Sequence, residues 1–227
     1  MKIDKATRDA FYQVLYARRD VRSEFLATPI EDDVIQRILN AAHHAPSVGF
    51  MQPWDFIVIK NEQTRAKIKA GFEQANAESA EMFDEQRKSQ YQKLKLEGIL
   101  DAPLGICVTC DRSRTGDVVL GKTIKPEMDL YSTVCAVQNM WLAARAENLG
   151  LGWVSILHDE VLHDVLAIPN DIQIIGYMCI GYVSEFHDKP ELERKAWQSR
   201  RDVKQAIHTE TWSGKNEQAQ SSVKSGE

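Results

Sequence analysis

The sequence predicts a single domain of the α/β or α+β class, and two observations carry that expectation. Segments with helical apolar spacing alternate with short apolar runs rich in β-branched residues, and neither an internal repeat nor a convincing interior linker interrupts them. At 227 residues and 43% hydrophobic content the chain is long enough to bury a full core. The domain is expected over residues 1–212. The polar, small-residue tail 213–227, "SGKNEQAQSSVKSGE", is expected to be disordered.

Taken in order, residues 4–19 place Phe11, Val14 and Leu15 at helical spacing and read as a first helix ending near a group of arginines. "TPIEDDVIQRILNAA" reads as a second helix. Thr28 is its candidate N-cap, Pro29 fits the first position, Glu31 completes a capping box, and Val34, Ile35, Ile38, Leu39 and Ala42 form one stripe. After the loop "HAPSVGFMQP", "WDFIVIK" is a strand. Residues 62–98 are polar and helical with few strong apolar positions, which predicts a lightly packed excursion or lid, or an ordinary solvated helical pair.

"LGICVTC" is a second strand, followed by a loop over 112–127. The segment "MDLYSTVCAVQNMWLAARAENLG" is a helix with a broad apolar surface, for which Gly150 is the expected C-cap. "GWVSIL" is a strand, "DEVLHDVLAI" a short helix stopped by Pro169, and "IQIIGYMCIGYV" the last strand. That last run is about half the length needed to span a bilayer, so no membrane role is expected.

Composition excludes several classes. With 28 basic and 33 acidic side chains, a net of −5, nothing supplies the basic surface of a general nucleic-acid binder. The N-terminus lacks the apolar h-region of a secretory signal, so a cytoplasmic protein is expected. Cys107 and Cys110 form a C-x-x-C, but inside an apolar strand run, which favours buried thiols in a reducing compartment over a redox pair or half a zinc site. Histidines 43, 44, 158, 163, 187 and 208 show no metal spacing, and no metal is expected. A dinucleotide fingerprint, a P-loop and a nucleophile elbow are all missing. Ser47 and Ser155 would be nucleophiles only with a base beside them.

The most informative stretch is "ARRDVRSEF", where Arg18, Arg19 and Arg22 surround one carboxylate, Asp20. Spacing alone leaves two readings open: an anion clamp formed where the helix breaks, or a charged helix end complementing the dipole, with Asp20 merely paired to an arginine.

Taken together, "RRDVRSEF", "APSVGFMQPW", "VQNMWLAARAENLGLGW" and an arginine after "KAW" resemble, in the same order, the flavin-dependent nitroreductase superfamily, from about residue 10 to 203. The resemblance implies an α+β fold with a mostly antiparallel sheet flanked by helices, a domain-interleaved homodimer, and FMN at the subunit interface. Arg18, Arg19 and Arg22 match that family's N-terminal flavin-binding arginines, and Arg200 best matches its late basic residue. Ser47 and the Gln52–Pro53 stretch match the loop that reaches the flavin. Asp20, Val21, Phe50, Met51, Leu104, Trp153, Val154 and Ser155 complete the implied flavin contacts.

Two positions depart from the ordinary pattern: Asp20 stands where Ser or Thr is usual, and Phe50 where a polar residue such as Asn is usual. These departures are similar to a branch of the superfamily that fragments reduced FMN with dioxygen to 5,6-dimethylbenzimidazole, the lower ligand of cobalamin. On that resemblance Asp20 and Ser155 are the catalytic residues, reduced FMN is substrate as well as ligand, and a separate flavin reductase supplies it. A conventional NAD(P)H-dependent nitro- or quinone reductase and a non-catalytic flavin-storage protein are the alternatives.

Overall fold

The computed structural model describes residues 2–212, so the tail expected at 213–227 lies outside them. The described residues group into two compact units, one ending at Pro190 and one beginning at Glu191. The first contains helices α1 (Lys5–Ala17), α2 (Asp32–His43), α3 (Glu62–Ala80), α4 (Glu85–Tyr91), α5 (Met128–Ala146) and α6 (Asp159–Leu166), with strands β1 (Trp54–Ile59), β2 (Leu104–Cys110), β3 (Leu149–Val154) and β4 (Gln173–Tyr182). The second contains the single-turn helix α7 (Glu191–Arg194) and a 3-10 turn at Val203–Ala206.

The four strands form one sheet in the order β1-β2-β4-β3, and every pairing is antiparallel. This is the expected α+β architecture. Period-2 alternation gives each face its own core. Leu104, Ile106, Val108, Leu151, Met178 and Ile180 meet Val34, Ile35 and Ile38 of α2 and Val137, Met140 and Ala144 of α5. On the other face Cys107, Tyr177 and Cys179 pack with Ile68 and Phe72 of α3 and Leu162 of α6. Coverage on both faces explains why β2 reads as an unbroken apolar run. The four cysteines are free. Cys107, Cys110 and Cys179 are buried, and burial pushes the Cys107 thiol up to about 12, the state of an inert core group.

Several local expectations are corrected. Helix α2 starts at Asp32, with Glu31 at its N-cap and no side-chain cap; Thr28 and Pro29 lie outside the helix. Ile30 has to enter the core there, and the Glu31 carboxylate instead accepts the Tyr182 hydroxyl at 2.7 Å. Gly150 is not the C-cap of α5 but lies inside β3; Asn148, at φ +61°, makes the turn. A Cβ on Gly150 would meet Val183 at 2.7 Å, so its bareness serves packing. The strand expected over "GWVSIL" ends at Val154, leaving Ser155 one residue beyond it.

The 62–98 segment is neither continuous nor lightly packed. Its helices end at Ala80 and Tyr91, and the chain from 92 to 103 is irregular. Arg65, only 7% exposed, donates to the carbonyls of Ile99 (3.1 Å) and Ala102 (2.5 Å). Glu97 accepts the Ile99 N–H at 2.6 Å and Lys69 at 3.0 Å. These bonds pin residues 97–102 to the body, so that stretch is wall and not a free lid.

Candidate active site

The arginine segment becomes a strap along the outer edge of β3. Helix α1 ends at Ala17 because Arg18 turns extended, at ψ 136°. Asp20 then bridges Leu151 in parallel, the Val21 N–H donates to the Leu151 carbonyl at 3.0 Å, and Phe25 bridges Val183. Gly152 makes this approach possible: a Cβ there would lie 2.0 Å from the Val21 carbonyl oxygen.

Each charged residue of the strap has a different surrounding. Asp20 Oδ2 accepts Arg22 Nη2 at 2.5 Å, and Oδ1 accepts the Trp153 backbone N–H at 3.2 Å. Burial raises the Asp20 carboxyl above its ordinary value, while Arg22, the Trp153 N–H and Arg18 oppose that rise without cancelling it. Arg19 turns its guanidinium to backbone carbonyls: Tyr16 at 2.8 Å, Arg18 at 2.6 Å, His187 at 3.0 Å and Asp188. It works as a clasp between the end of α1 and the chain leaving β4. The Arg18 guanidinium lies 4.8 Å from the centroid of the Trp141 ring. Arg22 keeps a buried Nε–H with no acceptor among the described residues. A buried donor left over beside a strap of arginines fits an anionic or carbonyl-bearing ligand.

The same edge carries Trp153, half-buried, and Val154, buried; Ser155 is exposed two residues beyond the N–H that holds Asp20, roughly 7 Å along an extended chain. Val21, at 9% exposure, faces the body. Leu104 is a core side chain among Ile106, Leu151 and Ile180. Arg200 is exposed in the second unit.

The loop with Ser47, Phe50, Met51, Gln52 and Pro53 is built elsewhere, where the chain enters β1 on the far edge of the sheet. Three of four consecutive residues, Gly49, Phe50 and Gln52, have φ near +50°. That conformation is held by Ser47 Oγ accepting the Gln52 N–H (3.0 Å), and by the Val48 N–H donating to Ser132 Oγ (3.0 Å), whose hydroxyl donates to Met128. Met51 is buried, whereas Phe50 is 81% exposed. Ser132 anchors the loop and Trp141 the strap on the same helix, nine residues apart, or about 14 Å along its axis. One chain therefore joins Asp20, Arg22 and Trp153, with Ser155 two residues further along, but does not bring the Ser47–Pro53 loop to them.

Two residues of this framework carried no signal of their role in the sequence. Ser132 reads there as a polar helix position, and Trp141 as part of an apolar surface. Only the close approach of distant segments gives them partners.

An arginine strap at a sheet edge, a half-buried carboxyl within it and a strained loop at the other edge accompany a match of residues 15–182 to the Nitroreductase family. The chain belongs to that family. It is 41% identical over 198 residues to 5,6-dimethylbenzimidazole synthase of Rhodospirillum rubrum, covering 87% of this chain and 93% of that one, and 38% identical to the enzyme of the same name from Rhodobacter capsulatus, covering 87% and 95%. The fold is similar to that of iodotyrosine deiodinase solved with FMN and 3-iodo-L-tyrosine, at a TM-score of 0.71 and 19% identity, over 89% of this chain and 99% of that one.

Proposed function

We infer that this chain acts as a 5,6-dimethylbenzimidazole synthase, fragmenting reduced FMN in a reaction with dioxygen. The observation that carries the reading is Asp20: a carboxyl raised by burial, held between Arg22 and the Trp153 N–H, at the position where the ordinary family pattern has Ser or Thr. The identity to two synthases over nearly their whole length supports it.

FMN fits the residues present. The unsatisfied Arg22 Nε–H and the Arg18 guanidinium stacked on Trp141 suit a phosphate or an electron-rich ring edge. When bound, reduced FMN supplies the electrons for dioxygen and is itself the molecule taken apart. The protein's part is to bind, dry and protonate. Asp20 holds or releases a proton beside the ligand, which general acid–base catalysis asks of a group whose pKa is moved toward the working pH. Ser155, two residues from the N–H that fixes Asp20, offers a hydroxyl on the same edge. Phe50, if brought to the strap by a partner subunit, would supply an apolar wall that excludes water from an oxygen reaction, with the buried Met51 beneath it.

A homodimer completes this site. No residue of α1 is buried, and its Phe11, Tyr12 and Tyr16 are 53%, 46% and 68% exposed. Phe50, Val118, Leu120 and Ile124 are all at least 80% exposed near the loop. Apolar surface of that extent suits a partner subunit, whose Ser47–Pro53 loop would reach the strap of the first. Free cysteines suit the cytoplasm, and among the described residues no helix is long and apolar enough to cross a membrane. A separate flavin reductase would supply the reduced FMN.

The test is direct. Purified protein is mixed with chemically reduced FMN, exposed to air and analysed by mass spectrometry. Release of 5,6-dimethylbenzimidazole is expected. Flavin recovered intact, together with rapid NAD(P)H-driven reduction of a nitroaromatic, would replace the reading with a conventional nitroreductase.

A further inference from the structure

We propose that Trp141 is a positioning residue that aims Asp20 and seats Arg18, acting on the two through different parts of one side chain. The proposal deepens the synthase reading and rests on it.

The strap between Arg18 and Val21 is tied to the rest of the protein by the Arg19 guanidinium, which clasps the carbonyls of Tyr16, His187 and Asp188, and by further contacts to β3 and α5. The Val21 N–H donates to Leu151, the Asp20 carboxylate accepts from Trp153, and the Trp141 indole N–H donates to the Arg19 carbonyl at 3.0 Å. The Arg19 carbonyl belongs to the peptide unit that also contains the Asp20 nitrogen. A planar peptide turns as one piece, so a donor fixed on that carbonyl fixes the plane from which the Asp20 side chain departs. The Arg19 clasp holds the chain before that plane, the bonds to Leu151 and Trp153 hold it after the plane and at the tip of the carboxylate, and the Trp141 N–H is the side-chain donor on the carbonyl between them. Without Trp141 the peptide can rotate, and the carboxylate can settle on Trp153 and Arg22 in another orientation.

The indole face does a second thing. It carries the Arg18 guanidinium at 4.8 Å, which seats a planar cation beside the strap. Trp141 can serve as a fixed point because Met140 before it is wholly buried in the core, and because its ring lies 6.3 Å from that of Trp153. Tryptophan alone combines an N–H donor with so broad an aromatic face. Phenylalanine keeps the face without the donor, and leucine keeps neither, which separates the two contributions.

The experiment compares wild type, Trp141→Phe and Trp141→Leu in two assays: oxidised FMN titrated into the apo protein by fluorescence, and steady-state product formation from reduced FMN. For Trp141→Phe, loss of one hydrogen bond predicts kcat down about tenfold, with KM and the FMN Kd within about twofold of wild type. For Trp141→Leu the same fall in kcat is expected, plus an FMN Kd about tenfold weaker, because the arginine loses its seat. Thermal melts identify any variant that fails to fold, and Trp141→Phe, the conservative change, carries the decision in that case.

Variants that lower Tm yet leave kcat and Kd at wild-type values would reduce Trp141 to packing and overturn the proposal. So would Trp141→Phe weakening FMN as much as Trp141→Leu. A wild-type protein that binds FMN but yields no product overturns the synthase reading instead, and the two Kd values still decide whether Trp141 seats Arg18.

Discussion

The strap at the β3 edge and the loop at the β1 edge hang from opposite ends of α5, and they are finished to different degrees within one chain. The strap has its backbone bonded to β3, its carboxylate held by two donors and one arginine wholly engaged in clasping carbonyls. The loop is internally just as determined, with its positive-φ backbone held by Ser47 and Ser132, yet it presents Phe50 and the neighbouring Leu120 to solvent at 81% and 84%. The difference teaches where each half of the site gets its partner. Apart from the Arg22 Nε–H, the polar groups of the strap find partners inside the chain, while the apolar residues of the loop stay exposed.

The largest effect should come from the strap. Asp20→Asn is expected to lower product formation by about 10²- to 10⁴-fold, the usual weight of a positioned proton carrier, while FMN titrations remain near wild type. Stability should not fall with it. The Asp20 pKa is raised in the folded protein, chiefly by burial, so its stabilising contribution is complete below the unfolded value and is lost as pH rises through the folded one. Near neutral pH the Asn variant should therefore melt no lower than wild type. A drop in Tm matching the drop in activity would make Asp20 structural.

On the loop side the largest effect falls on Asp129, fully buried and bonded to Lys122 (2.6 Å) and Arg112 (3.0 Å), which fold residues 112–127 against the body. Asp129→Asn should cost about 3 kcal/mol in denaturant titrations. Burial opposes its ionisation, but Lys122 and Arg112 more than offset that and hold the carboxyl below the ordinary value. The contribution is thus present above the unfolded pKa and lost as pH falls through the folded one. Melting curves of wild type and variant should accordingly converge in acid, and a gap that persists there would contradict the assignment.

Gly49→Ala should cost about 1–2 kcal/mol by the same titration, because φ is +53° and the new methyl would meet Val119 at 2.6 Å. The smallest effect on folding belongs to Leu120→Ser, within about 0.5 kcal/mol for the isolated chain. If the loop edge is an interface, sedimentation should nevertheless show weaker self-association; unchanged self-association would place the interface elsewhere.

Much of this was legible in the chain. The strands announce themselves as apolar runs and α2 as a stripe, while "RRDVR" and "SVGFMQPW", singled out as candidate site segments, lie at opposite edges of the sheet. What misled was local grammar overruled by distant partners. Thr28, Pro29 and Glu31 spell a helix start, but Glu31 is drawn to Tyr182 and Ile30 to the core. Gly150 looks like a C-cap, but Val21 and Val183 require its missing side chain. Residues 62–98 look detachable because their anchors are polar: Arg65 and Glu97 are buried side chains that composition counts as surface.

The sequence by itself determined the fold class, the element order and which short segments are candidates for the chemistry, because period, turn residues and motif spacing are properties of neighbours along the chain. The tertiary structure alone decided what each residue of those segments does. Arg19 became a clasp, Asp20 a held carboxyl and Trp141 a support only when β3 and α5 came within hydrogen-bond reach of the strap. Hydrogen bonds and burial act over a few ångströms in space, and separations of more than a hundred residues in sequence leave no trace of them in local pattern.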